Sequence, residues 1–161
     1  MIHCEGTAIL KNDKFNFIPI SSNKGEYFII ESELEVHFII KKGILVLPLG
    51  NKKYWVGATY NRDNDEEVIT SKGEEYLIKK MDGLFNLPYK ILKKGFGFRP
   101  TIKDRRPVLG EHPDYNNEFV FNGLGTKGVS LAPFYSEMLT KYIYQYGQIE
   151  KEVDIQRFLN A

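Results

Sequence analysis

Cysteine is all but missing from this chain. Cys4 stands alone among 161 residues, so no intramolecular disulfide framework can form and a reducing compartment is the simpler setting. Within the apolar run "MIHC" it is expected to act as a small buried hydrophobe. Histidine is scarce too: His3, His37 and His112 have no metal-ligand spacing among themselves or with Cys4. No stretch approaches the ~20 apolar residues of a membrane span, and "MIHCEG" lacks the basic and apolar regions of a signal peptide. A one-sided charge is also lacking, since 22 Lys+Arg against 21 Asp+Glu leave +1. Such a balance favours no polyanionic partner. Arg105-Arg106 is a solvated or loop-pinning pair, too small for a nucleic-acid patch. Neither nucleic acid nor a membrane is expected as a partner, and the expected location is the cytoplasm. No Ser-His-Asp order, P-loop or paired-carboxylate motif stands out.

Aromatic residues are plentiful, with 10 Tyr and 11 Phe, which suits a packed sheet. "MIHC" reads as a short buried strand, followed by a polar connector, "FNFIPI" and a turn at "SSNKGE". "YFII", "EVHFII", "ILVLPLG" and "YWVGAT" then form an antiparallel meander, with turns at Lys41-Lys42-Gly43 and Asn51-Lys52-Lys53. His37 is expected inside a strand, and the acidic run Asp63 to Glu67 in a solvated loop. Ser71-Lys72-Gly73-Glu74 has capping-box spacing and opens a helix that Gly83 and Pro88 bracket. "YKILKKGFGFRP" returns to strand and ends at Arg99-Pro100; "TIKDRRPVLGEHPDYNN" is loop-rich; "EFVFN" is the last strand. A helix from Gly128 to about Tyr146 closes at Gly147.

The stretch "NGLGTKGVSLAP" carries the clearest chemistry. Gly123, Gly125 and Gly128 have the spacing G-x-G-x-x-G between a strand and a helix, the form of a dinucleotide-binding turn. Glycines permit close backbone approach, and a helix N-terminus offers unpaired N–H groups to an anion. Only 14 residues follow Gly147, too few for the parallel strands of a nucleotide domain. Two readings remain: a plain strand-to-helix turn, or a loop that completes a cofactor site whose main nucleotide fold lies elsewhere.

Taken in order, "KGE", "GATY", "GFRPTIKDRRPVLGEHP", "NGLGTKGVSLAP" and "DIQRF" resemble the C-terminal half of the flavin-dependent D-amino acid oxidase family. The likeness is closer to glycine oxidases and to the oxidase domain of the bifunctional tRNA-wobble-uridine modifying protein. It covers nearly the whole chain and implies FAD as cofactor. "MIHCEG" would be the strand ending in a small-residue turn beside the cofactor. Gly123, Leu124, Gly125, Thr126, Lys127 and Gly128 would form a loop against the flavin ring, their backbone N–H groups stabilising its reduced form. Arg99, held extended before Pro100, would anchor a substrate carboxylate through two parallel hydrogen bonds, the alternative being an ion pair with Asp104. Glycine oxidases tend to carry an arginine in the glycine loop where this chain has Thr126-Lys127, and a lysine offers no planar fork. Lys24-Gly25-Glu26 resembles a turn near the ring, with an ordinary turn as the alternative. Leu45 and Leu47 replace the pocket tyrosine often found before Pro48, leaving Tyr60 as the nearer substrate-binding hydroxyl.

The expected fold is α+β. Residues 15–98 would hold a mainly antiparallel substrate-domain sheet with one helix. Residues 1–14 and 99–161 would supply the returning strand, C-terminal strands and long helix of a FAD-binding domain whose N-terminal half is missing. Met1 would then be a truncated start, an artificial boundary or the start of a split partner. The implied activity is oxidation of an amine or amino acid by hydride transfer to flavin. Implied partners are that small molecule and either the missing half or a self-association partner. The alternative is a non-catalytic fragment, or a subunit of a split enzyme that does not bind FAD alone.

Overall fold

The computed structural model describes residues 1–62 and 66–159. In chain order the strands are β1 (Ile2–His3), β2 (Ile20–Ser32), β3 (Ile40–Lys42), β4 (Ile44–Gly50), β5 (Lys53–Gly57), β6 (Tyr89–Ile102), β7 (Val108–Glu111) and β8 (Phe119–Asn122). Two α-helices join them, α1 (Ser71–Asp82) after β5 and α2 (Gly128–Ile143) after β8. The architecture is α+β with mostly antiparallel sheets, as expected. The chain divides into two compact units, one of Met1–Asn23 with Arg99–Ala161, the other Lys24–Phe98. Among the described residues, no helix is long and apolar enough to cross a membrane.

The Lys24–Phe98 unit is built on the sheet ordered β3-β4-β5-β2-β6. Its strands alternate. Phe28 and Ile30 of β2, Ile44 and Val46 of β4, and Tyr54 and Val56 of β5 point to one face and close a core with Leu77 and Met81 of α1. The opposite face carries half-buried Tyr27, Ile29, Leu45, Leu47 and Trp55, with the Tyr27 and Trp55 rings stacked 5.4 Å apart. Asn51 and Lys52 both have positive φ, the pattern of a two-residue turn matched to strand twist.

Three expectations for this unit need correction. The turn at "SSNKGE" does not form, because β2 runs straight through it. Lys24 and Glu26 are buried on the strand, and both find partners there. The Lys24 ammonium donates to Val68 O and lies 3.5 Å from Glu26 Oε1. Glu26 accepts from Thr70 N at 2.8 Å and from Thr59 Oγ1 at 3.2 Å, so its charge sits at the start of α1, where a helix favours it. Lys24-Gly25-Glu26 is thus strand and not a turn. "EVHFII" is also not a strand, since only Ile40 reaches β3. Leu34 and Val36 pack on the core, but the Tyr54 hydroxyl, not a neighbouring strand, donates to Leu34 O; His37 is exposed outside any strand. Finally, α1 is capped one residue earlier than expected, by Thr70 Oγ1 accepting from Gly73 N at 3.0 Å. Of the acidic run, Asp63 and Asp65 lie outside the described residues, while Glu66 and Glu67 are exposed.

The other unit contains the sheet β1-β8-β7, with β1 parallel and β7 antiparallel to β8. Ile9, Phe15, Ile18, Ile20, Ile102, Val108, Val120 and Ile155 form one core; Leu109, Phe119, Leu139, Ile149 and Val153 form a second beneath α2. "FNFIPI" is not a strand of its own. The chain first makes 3-10 turns at Gly6–Lys11 and Asp13–Phe15, and β2 begins only at Ile20. Phe15 is held between the rings of His3 and His112. The region expected as loop hosts β7, whose Gly110 has φ +132 and leaves the space that Ile155 fills. Helix α2 ends before Gly147. Gln145 takes the left-handed position, with Gln145 N on Tyr142 O and Tyr146 N on Lys141 O, both at 3.0 Å, a Schellman closure. Gly147 is required for another reason: a Cβ there would lie 2.7 Å from Lys141 Cβ.

Cys4 is exposed, not buried. Its strand neighbour His3 is the inward residue, bonded to Glu5 at 2.7 Å and Glu118 at 3.2 Å. The imidazole beside Glu5 holds that carboxyl below the usual carboxylate range. His112 has a structural role. Its Nε2–H donates to Lys14 O at 2.7 Å, and its Nδ1 accepts from Asp114 N at 3.0 Å, which fixes a neutral tautomer.

Candidate functional site

Because β1 and β8 are parallel, the loops that leave them emerge at the same end of the sheet. The carboxyl ends of parallel strands are where ligands bind in α/β architectures. Here those loops are the Gly6 turn and the glycine loop Gly123–Gly128. Asn122, the last residue of β8, is 3% exposed and fastens them together. Its Nδ2 donates to Gly6 O at 2.9 Å, and its Oδ1 accepts from Gly123 N at 2.8 Å.

Glycine is needed at two points of the loop. Gly123 has φ +73, and a Cβ there would lie 2.6 Å from Ile102 Cδ1; Gly125 has φ +54, and its Cβ would lie 3.2 Å from Thr101 Cγ2. Side chains at both points would push the loop off β6. The main chain holds it there instead: Gly125 N donates to Pro100 O at 2.9 Å, and Thr101 and Leu124 form an isolated antiparallel bridge. The loop is therefore tied to the two residues that follow Arg99. Thr126 and Lys127 are exposed, Leu124 and Gly128 half-buried.

Helix α2 starts directly from this loop, and its N-cap Lys127 makes no side-chain capping bond. The first turn thus keeps N–H groups and a positive dipole end without a side-chain partner. A Cβ on Gly128 would meet nothing nearer than 3.7 Å, so the backbone is open there. An uncapped helix start, a glycine cradle and parallel strand ends fit the electron-rich edge of a flavin or a phosphate.

Arg99 is half-buried on β6. Asp104 accepts from Arg157 Nε at 3.3 Å and from Arg106 N at 2.9 Å. Tyr60 belongs to the Lys24–Phe98 unit and is 53% exposed, with the Arg62 guanidinium 5.5 Å from its ring centre. Arg99 and the glycine loop are brought together within one unit; Tyr60 lies in the other. Asn122 and Thr101 were missed by sequence reasoning. An asparagine immediately before a glycine turn is a signal for the first; nothing in the sequence marks the second.

The chain belongs to the family described as "FAD dependent oxidoreductase", whose model matches residues 2–142. It is 26% identical over 136 residues to the bifunctional tRNA 5-methylaminomethyl-2-thiouridine biosynthesis protein MnmC of Idiomarina loihiensis, a match covering 79% of this chain and 22% of that protein. It is 28% identical over 104 residues to the uncharacterized oxidoreductase YurR of Bacillus subtilis, covering 61% of this chain and 27% of that one. Among solved structures, iminodiacetate oxidase from Chelativorans sp. is similar with a TM-score of 0.79 and 19% identity, covering 95% of this chain and 45% of that one. Glycine oxidase from Bacillus cereus is similar with a TM-score of 0.76 and 15% identity, covering 91% and 42%. The chain thus spans less than half the length of these relatives.

Proposed function

We propose that this chain is the C-terminal part of a FAD-dependent oxidoreductase that oxidises an amine or amino acid. The observation that carries this reading is the glycine loop pinned between Asn122 and Pro100-Thr101, which sets an uncapped helix start beside the strand that bears Arg99. When bound, FAD supplies a hydride acceptor for the carbon bearing the amine, leaving an imine for water to hydrolyse.

The chain's own residues bind and orient. The backbone of Gly123, Leu124, Gly125, Thr126, Lys127 and Gly128 lines the cofactor, and the N–H groups opening α2 favour negative charge on it. Arg99 anchors the substrate carboxylate, its guanidinium matching two oxygens at once. Lys127 contributes a point charge, and Tyr60 a hydroxyl toward substrate. A neutral amine needs no protein base, so orientation is the main contribution. Residues 15–98 act as the substrate-domain portion; residues 1–14 and 99–161 act as the FAD-domain portion. The remainder of the FAD domain comes from an N-terminal half or from self-association.

A second reading, a subunit of a split enzyme that needs its partner to hold FAD, is favoured by exposed apolar side chains in the same unit. Met1, just before β1, and Ile2 on it are 78% and 50% exposed, and Val129 and Phe134 on α2 are 98% and 56% exposed. FAD retained by the purified chain would argue against it.

The test of the main reading is Arg99→Ala in FAD-loaded protein, with glycine, iminodiacetate and an amine lacking a carboxylate as substrates. Losing a bidentate charged contact worth about 3 kcal/mol lowers kcat/KM for the two acids about 100-fold and leaves the simple amine unchanged. Equal activity on the acids before and after the change would overturn the anchor.

A further inference from the structure

In the unit that holds the glycine loop, Asn23 is 1% exposed, and its Oδ1 is buried without a hydrogen-bond partner. A buried carbonyl left without a partner is costly, and few native groups are left so. The neighbouring bonds agree with this orientation of the amide. The Thr101 hydroxyl donates to Ser21 O at 3.1 Å, so its oxygen serves as acceptor for Asn23 Nδ2. Oδ1 is the remainder.

Ser21 and Asn23 are two apart on β2, and Arg99 and Thr101 are two apart on β6. A period of two puts each pair on one face of its strand. Ser21 and Asn23 both meet Thr101, so all four side chains share a face. Ser21 is exposed, Thr101 and Arg99 half-buried, Asn23 buried. This polar strip therefore runs from solvent to an unused acceptor, and Thr101 at its centre bridges to Leu124 of the glycine loop.

We propose that Asn23 determines specificity: its Oδ1 accepts an N–H from the amine of the small molecule whose carboxylate Arg99 anchors. This rests on the reading of Arg99 given above. An amino acid carries a carboxylate and an N–H donor one carbon apart, and its nitrogen breaks no protein hydrogen bond on reaching Oδ1. A bare carboxylate fills the arginine end and leaves the amide unsatisfied.

The test is NMR titration of the 161-residue chain with glycine and with acetate, for wild type, Asn23→Leu and Arg99→Lys. Wild type is expected to prefer glycine by about fivefold or more, the ratio that one net hydrogen bond supplies. Asn23→Leu removes the preference, keeps acetate affinity and melts no lower than wild type, because a buried orphan is gone. Should that variant fail to fold, the wild-type side-chain amide signal of Asn23 decides: it moves with glycine and stays still with acetate. An unchanged glycine preference in Asn23→Leu, or an Asn23 signal indifferent to glycine because a buried water satisfies Oδ1, overturns the assignment and leaves Arg99 standing. Failure of both ligands to bind, or indifference of both to Arg99→Lys, removes the Arg99 reading and this inference with it.

Discussion

Asn122→Ala removes the clamp that joins the Gly6 turn to the glycine loop, and its cost follows from the two bonds lost. Gly123 N–H is buried; without Asn122 Oδ1, bonded at 2.8 Å, it becomes an orphan donor, at about 1–3 kcal/mol. Gly6 is half-buried, so its carbonyl regains water, and losing the 2.9 Å bond from Nδ2 costs about 0.5–1.5 kcal/mol. The sum is about 1.5–4.5 kcal/mol, or a fall of about 10- to 2,000-fold in an opening equilibrium. Native-state amide exchange reads this directly, through the protection of Gly123 and Leu124. Ser136→Ala serves as a control, since that hydroxyl bonds Pro133 O on an exposed turn of α2 and its loss costs under about 0.5 kcal/mol. If Gly123 protection in Asn122→Ala stays within about threefold of wild type, the carboxamide does not hold the loop.

Two further outcomes test the Lys24–Phe98 unit. Lys24→Met strips the partner from a buried Glu26 carboxylate and should destabilise this unit by about 3–5 kcal/mol; the single Trp55 lies in the same unit, so denaturant unfolding followed by tryptophan fluorescence reports it, and an unmoved midpoint would show the pair contributes nothing. Burial, aided by the 2.6 Å bond to Asp82, pushes the Tyr89 hydroxyl up to about 12. A folded pKa above the usual 10.0 stabilises the fold while the tyrosine is neutral, so this contribution is full below pH 10 and is lost as pH rises towards 12. Absorbance titration of wild type against Tyr89→Phe should place the missing transition in that window; a missing transition near 10 would refute the burial argument.

The meander from "YFII" to "YWVGAT" was legible because its alternation survives folding: Phe28, Ile30, Val46 and Val56 are inward, Ile29, Leu47 and Trp55 on the other face. The glycine loop was legible because its positive-φ positions demand glycine. Asn122 was missed although its place before Gly123 suits a side-chain-closed turn. Lys24-Gly25-Glu26 misled because charged residues around glycine signal a turn, and only tertiary partners such as Thr59 and Thr70 make a buried strand of them. The "EVHFII" run misled by composition; its apolar residues have no strand partner until Ile40. The Asn23–Thr101 contact joins residues far apart in sequence, and no local pattern announces it.

We propose that the parallel ends of β1 and β8, with the start of α2, are the flavin-facing part of this chain. Amide NMR of the 161-residue protein titrated with FAD addresses it most directly, because it detects even weak binding by part of a site. Shifts are expected to concentrate at Gly6 and from Gly123 to Val129, and to shrink when Gly128 is replaced by a bulkier residue. Shifts confined to the Lys24–Phe98 unit, or none in the glycine loop at saturating FAD, would contradict it.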